Sequence, residues 1–193
     1  LGRKVLGLDL NLGMLRFARR VLETSQVEYA RRELGLVYKN RNFFYQHGLA
    51  VDDFVNAEHG LDFWAVDVAD LPFGQDQFAL IFSLNVLDCV SWPVGHLQSV
   101  ARSLMPGGVL VMTCPYDWSE RASQPAAWLG GHSQRSPYQG DSVSIVAQTL
   151  ENLGLSIIDQ KAGIDWRVRT HARAVMNYKT HLMVAMKNHR GEA

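Results

Sequence analysis

Apolar runs of five to seven residues alternate with stretches of helical period along this chain. Val5–Leu10 is an apolar run that reads as a buried strand. Asn11 follows as an N-cap, and Met14, Leu15, Ala18, Val21 and Leu22 then trace one helical face. The pattern predicts a helix to about Arg32 and an irregular insertion beyond it, to residue 58, that includes Phe43-Phe44-Tyr45. Leu61–Val66 reads as a second strand ending at Asp67, and Phe78–Leu84 as a third. The third lacks alternation, as expected of a parallel strand covered on both faces. Leu97, Val100, Ala101 and Leu104 are spaced for a helix stopped by Pro106-Gly107-Gly108, before a strand at Val109–Thr113. A loop rich in Pro, Ser, Gly, Trp and Gln fills roughly 115–140. Asp141 or Ser142 then caps a helix with Val143, Val146, Ala147 and Leu150 inside, closed by Gly154. Leu155–Gln160 and His181–Met186 read as two last strands separated by an Arg-rich link.

Strands alternating with helices predict a doubly wound α/β sheet with a parallel body. No repeat, linker or low-complexity tract divides residues 1–193, so the sequence reads as a single domain. At 193 residues the chain is long enough to bury a core without disulfides or metal. Lys+Arg and Asp+Glu both number 19. That balance argues against a nucleic-acid binder or a membrane-surface protein. No apolar run approaches the ~20 residues of a bilayer span. Cys89 and Cys114 form neither a disulfide framework nor a metal-ligand spacing, and His47, His59 and His132 lack partners at ligand spacing. A cytoplasmic protein without a metal is the expectation.

In an open α/β sheet, ligands bind outside the carboxyl ends of the strands. Four places are therefore of interest: Asp9, Asp67, Asn85 and Cys114-Pro115-Tyr116-Asp117. A carboxylate at the end of an apolar strand, as Asp9 is, can accept both hydroxyl protons of a ribose; it is equally an acid stabilised near a helix N-terminus. Asp67 could accept from an adenine amino group, or serve as a turn residue.

The ordered set Asp67-Val-Ala-Asp70-Leu-Pro-Phe73, Phe78, Leu80-Ile-Phe-Ser-Leu-Asn85-Val-Leu and Arg102-Ser-Leu-Met-Pro106-Gly-Gly-Val-Leu resembles the class I S-adenosylmethionine-dependent methyltransferases. The resemblance runs from about Val5 to Pro115. It implies a Rossmann-like doubly wound sheet, mostly parallel with an antiparallel last strand. It further implies S-adenosyl-L-methionine as cofactor, with Asp9 and Leu10 at the ribose, Asp67 and Val68 at the adenine, and Asn85 and Val86 on the methionine side. Two features depart from the family: Ala79 stands where the family usually has Asp, and the glycine-rich loop after the family's first strand is missing. Such a loop lies roughly 20 residues before the ribose acid, and eight residues precede Asp9. The expectation is a domain lacking its first strand, in which Val5–Leu10 pairs directly with Phe78–Leu84.

Cys114-Pro-Tyr116-Asp117-Trp118-Ser119 with Trp128-Leu-Gly-Gly131 resembles the methyltransferase module of ovothiol-biosynthesis enzymes, which methylate a thiol-bearing histidine nitrogen. The same residues are equally a loop held by buried tryptophans. Asp165-Trp-Arg167-Val-Arg169-Thr-His171-Ala-Arg173, ending in Tyr178 and His181, could clamp a substrate carboxylate, or form a solvated hairpin. Tyr116, Trp118, Arg169 and Arg173 are thus candidates for substrate contact, and Tyr116, Asp117, His171 and Tyr178 for proton removal. The functional expectation is methyl transfer to a small molecule, with a 4-mercaptohistidine-like acceptor as its finer form. A non-catalytic methyltransferase-like module and a nicotinamide oxidoreductase are the alternatives. Oligomeric state is not legible in the sequence.

Overall fold

The computed structural model describes residues 4–24, 26–44 and 60–189. The chain divides into two units, one of residues 1–67 with 168–176 and one of 68–167 with 177–193.

In the first unit, β1 (Val5–Asp9) pairs in parallel with β4 (Leu61–Ala65), Val5 opposite Leu61 and Asp9 opposite Ala65. The ladder runs one bond further at each end, Val5 N–H to Gly60 O and Val66 N–H to Asp9 O. Between them, α1 (Leu12–Thr24) opens on Asn11, whose Oδ1 accepts from the N–H groups of Gly13 at 2.9 Å and Met14 at 3.3 Å. These are two of the four N–H groups that a helix start leaves unmatched.

The helix ends at Thr24, short of the expected Arg32. Residues 26–44 form a hairpin instead, β2 (Gln26–Leu34) antiparallel to β3 (Val37–Phe44). Gly35 turns it at φ +52, a conformation that a side chain rarely adopts. Glu33 binds Arg31 at 3.2 Å and, across the strands, Arg41 at 2.9 Å. The rest of the expected insertion, with Tyr45, His47 and His59, lies outside the described residues.

In the second unit the sheet order is β5 (Phe78–Leu84), β6 (Leu104–Cys114), β8 (Ala174–Lys187), β7 (Leu155–His171). β5 (Phe78–Leu84) is parallel to β6 (Leu104–Cys114), with Leu80–Leu84 opposite Val109–Thr113. β8 (Ala174–Lys187) runs antiparallel to β6, Val109 opposite Met186 and Cys114 opposite His181. β7 (Leu155–His171) is longer than the expected 155–160. The Arg-rich link is strand, because Trp166, Val168 and Thr170 alternate with Arg167 and Arg169 in the period of two that a pleated chain needs. The tip of this β7–β8 hairpin, residues 168–176, belongs to the first unit, where the Arg32 guanidinium reaches Thr170 O at 3.1 Å.

Among the described residues, two α-helices complete the second unit: α2 (Pro93–Ser103) and α3 (Ser142–Asn152). Leu97 and Val100 of α2, Val146 and Leu150 of α3, Leu110 and Met112 of β6, and Met183 of β8 form its core, all nearly inaccessible to solvent. Asp141 caps α3, accepting from Ser144 N–H at 2.8 Å. Leu104, expected as the last helical position, is the first residue of β6.

The expected pairing of Val5–Leu10 with Phe78–Leu84 is not among the ladders of the described residues. Among the described residues the ladders are β1 with β4 and β5 with β6, in separate sheets, and residues 26–44 are committed to their own hairpin. Each of the two strands satisfies one edge within its own unit, β1 against β4 and β5 against β6. No helix among the described residues is long and apolar enough to cross a membrane.

Candidate active site

Asp9 is the last residue of β1, and Asp67 lies two residues beyond the end of the parallel neighbour β4. Both therefore sit at the carboxyl end of one parallel pair, as a nucleoside site in an α/β fold requires. Asp9 Oδ1 accepts the Asn11 N–H at 2.7 Å, which turns the chain into α1 and leaves Oδ2 to accept from a ligand. Leu10 beside it is exposed. These residues fit the nucleoside portion of the cofactor. The sequence contains no G-x-G-x-G stretch to approach its amino-acid end.

Val68 begins the second unit, in a segment held along one face of α2. His96 Nδ1 donates to Val68 O at 2.9 Å, Ser99 Oγ reaches Ala69 O at 3.4 Å and accepts from Leu71 N–H at 3.3 Å, and the Arg102 guanidinium donates to Leu71 O at 2.7 Å. His96, Ser99 and Arg102 are three residues apart and so share a helix face. Since His96 Nδ1 carries the proton, its Nε2 accepts from Ser83 Oγ at 2.9 Å on β5.

The chain leaves β5 at Asn85, which has φ +55. Its N–H donates to Thr113 O at 2.7 Å, and its Oδ1 accepts from Thr180 Oγ1 at 2.9 Å. Asparagine tolerates this left-handed conformation better than most residues. Val86 precedes a short 3-10 turn, Leu87–Cys89, in which Asp88 is 3% exposed. Asp88 Oδ2 accepts the Asp117 N–H at 2.7 Å, tying the segment after β5 to the segment after β6.

Beyond β6, Tyr116 also has φ +55. Its N–H donates to Cys114 Sγ at 3.3 Å, and its hydroxyl lies 3.1 Å from His181 Nδ1. Trp118 donates through Nε1 to Ser142 Oγ at 2.9 Å, at the start of α3, and stacks on Trp128 with ring centroids 6.4 Å apart. Gly131 allows the close approach, because a Cβ there would sit 2.9 Å from the Trp118 ring. The two tryptophan motifs paired in the sequence reading therefore form one wall.

Burial pushes the Tyr116 hydroxyl up, helped by Cys114, Asp141 and Asp88, so it stays protonated at neutral pH. Burial pushes the Cys114 thiol up in the same way, leaving it a neutral core residue. His181 is held below the ordinary imidazole value by burial, against the opposing pull of Asp141, and is a neutral base. Burial and then the neighbouring Asp117 carboxylate raise the Tyr178 hydroxyl, and Tyr178 stacks on Trp166 at 5.0 Å.

Tyr116, Asp117, Trp118 and Tyr178 thus fall in the second unit. Arg169, His171 and Arg173 fall in the first, at the hairpin tip, where Arg169 donates to Ala172 O and the Arg173 N–H donates to His171 Nδ1. The site residues that the sequence patterns do not single out are Asp88 and His96. Each acts on a partner 28 or 29 positions away, which no local pattern encodes.

A methyltransferase-domain family matches residues 45–112. A search of curated proteins found no match. Among solved structures, a SAM-dependent methyltransferase of Methanosarcina mazei is similar, with TM-score 0.59 and 16% identity over 97% of this chain and 83% of that one. An S-adenosylmethionine-dependent methyltransferase of Mesorhizobium loti gives TM-score 0.54 and 18% identity over 95% and 80%. A candidate methyltransferase of Bacillus halodurans gives 0.57 and 12% over 97% and 84%. Residues 45–112 are thus similar to the methyltransferase-domain family, and the Rossmann-like sheet with its antiparallel last strand is the fold shared with these solved methyltransferases.

Proposed function

We propose that this protein transfers the methyl group of S-adenosyl-L-methionine to a small molecule. Asp9, with Leu10, holds the ribose; Asp67 and Val68 frame the adenine; Asn85 and Val86 line the methionine side. The observation that carries this reading is the placement of Asp9 and Asp67 at the same end of the β1–β4 parallel pair. The cofactor supplies the methyl group and its leaving group when bound, so the protein's work is to align donor and acceptor and to exclude water.

The acceptor side is the aromatic wall of Tyr116, Trp118 and Trp128, with Asp117 and Tyr178 beside it. The finer reading, N-methylation of a 4-mercaptohistidine-like imidazole, rests on the Cys114–Ser119 and Trp128–Gly131 motifs, which the stack of Trp118 on Trp128 brings together. Arg169 and Arg173 are the candidates for an acceptor carboxylate. Calorimetric titration with S-adenosylhomocysteine and with NADH tests the cofactor. Binding of the first and not the second is the expected result; the reverse would indicate a nicotinamide enzyme, and binding of neither a non-catalytic module.

A further inference from the structure

We infer that Tyr116 and His181 form a proton relay, in which the Tyr116 hydroxyl takes the acceptor's proton as its own passes to His181 Nδ1. The inference rests on the methyl-transfer reading and adds to it an acceptor class: a nucleophile that carries a proton, such as a thiol, an imidazole N–H or an ammonium, rather than one already free.

Three observations converge. The hydroxyl and Nδ1 are 3.1 Å apart, at hydrogen-bond distance. The pair sits at the carboxyl end of β6, because His181 on β8 is the register partner of Cys114, and ligands bind at that edge of an α/β sheet. Tyr116 is also held where it stands, by a left-handed backbone, its N–H on Cys114 Sγ and the next N–H on buried Asp88. His181 is 7% exposed. Buried at this end of the sheet, its Nδ1 meets the hydroxyl of the half-buried Tyr116. The charged and titratable groups facing the pair are Asp141 from the start of α3, Asp88 from the turn after β5 and Cys114 from β6. Burial outweighs the pull of Asp141, so His181 is unprotonated and free to accept at neutral pH.

The step balances. The electron pair left on the acceptor atom as its proton departs forms the new bond to the methyl carbon, while the carbon–sulfur bond breaks and its electrons remain on sulfur. The acceptor's proton moves to the Tyr116 oxygen, and the tyrosine proton moves to His181 Nδ1. Imidazolium then returns the proton to water.

The hydrogen bond is tested without turnover by nitrogen-15 NMR of the histidines. His181 should carry its proton on Nε2, with Nδ1 as a hydrogen-bond acceptor, and Tyr116→Phe should shift the Nδ1 resonance. A proton resident on Nδ1, or a resonance unmoved in Tyr116→Phe, would overturn the relay. Its use is tested by S-adenosylhomocysteine release with a panel of small thiols, imidazoles and amines, 4-mercapto-L-histidine among them. His181→Asn can still accept the tyrosine hydrogen bond but not its proton. It should lower kcat by about 100-fold, the lower end for general-base help, and abolish the acid limb of the pH profile. An unchanged profile would overturn the relay and leave methyl transfer standing. No turnover by the unsubstituted protein on any acceptor would overturn the methyl-transfer reading, and the relay with it.

Discussion

His96 on α2 and Val68 at the start of the second unit are joined side chain to backbone, Nδ1 to carbonyl oxygen, at 2.9 Å. The imidazole is 3% exposed and spends its other nitrogen on Ser83, so both ring atoms of a buried histidine are matched. Val68 is the residue proposed to frame the adenine, and its position depends on a helix whose own spacing was set by core packing.

His96→Ala should leave the Val68 carbonyl unmatched at a cost of about 1–3 kcal/mol and weaken S-adenosylhomocysteine binding. His96→Asn places an amide N–H near the Nδ1 position and should recover much of the affinity. His96→Gln places its amide near Nε2, keeps the Ser83 bond and should not. Calorimetry on the three variants checks this; equal affinities would show that Val68 does not depend on the imidazole.

Asp9→Ala should weaken cofactor binding by ~1.5–3 kcal/mol, the scale for hydrogen bonds to a charged group. Asp67→Ala should lose less, since water can replace one adenine contact. Affinity within twofold of the parent in Asp9→Ala would remove the ribose assignment. A melting-temperature rise on adding S-adenosylhomocysteine, smaller in Asp9→Ala, is the independent check.

Elements built on one face of a core were legible in the chain. Phe78–Leu84 is β5 residue for residue, and Val146 and Leu150 are the buried face of α3, as their spacing indicates. The hairpin of 26–44 was hidden because Glu28 stands three and four residues before Arg31 and Arg32, a helical spacing, whereas Glu33 pairs with Arg31 and Arg41 along and across the ladder. Asp9 and Asp67 could be named from strand ends. Asp88 could not, because it lies on a turn whose partner, Asp117, comes close only once β5 and β6 are side by side.

The depressed His181 pKa makes stability pH-dependent with a definite sign. Between the ordinary imidazole value of 6.5 and the lower folded value, the unfolded chain binds more protons than the folded one. Stability therefore rises with pH through that window and falls as the solution is acidified below about 6.5. Asp141, held below the usual carboxylate value chiefly by its hydrogen bond from Ser144, keeps its contribution across that window and loses it only at lower pH. Urea unfolding between pH 5 and 8 should show the slope, and His181→Asn should flatten it. An equal slope in the variant would assign the effect elsewhere.

Asp88 is the residue on which the geometry of the acceptor wall depends most directly. Its Oδ2 takes the Asp117 N–H at 2.7 Å, and the residues on either side of that N–H are Tyr116, with its left-handed backbone, and Trp118, with its stack on Trp128. Removing the carboxylate leaves a backbone donor without its partner and frees the turn at its middle. Asp88→Ala should therefore cost about 1–3 kcal/mol, or a fall of ~2–4 °C in Tm per kcal/mol for a chain of this size. Asp88→Asn keeps an oxygen at the same place and should lose much less. Because Trp118 and Trp128 are stacked aromatic rings, near-ultraviolet circular dichroism reads the wall directly. That signal should diminish in Asp88→Ala while the far-ultraviolet spectrum, reporting α1, α2 and α3, stays unchanged. Loss of both spectra together would mean that Asp88 holds the second unit as a whole, and loss of neither that the turn stands without it.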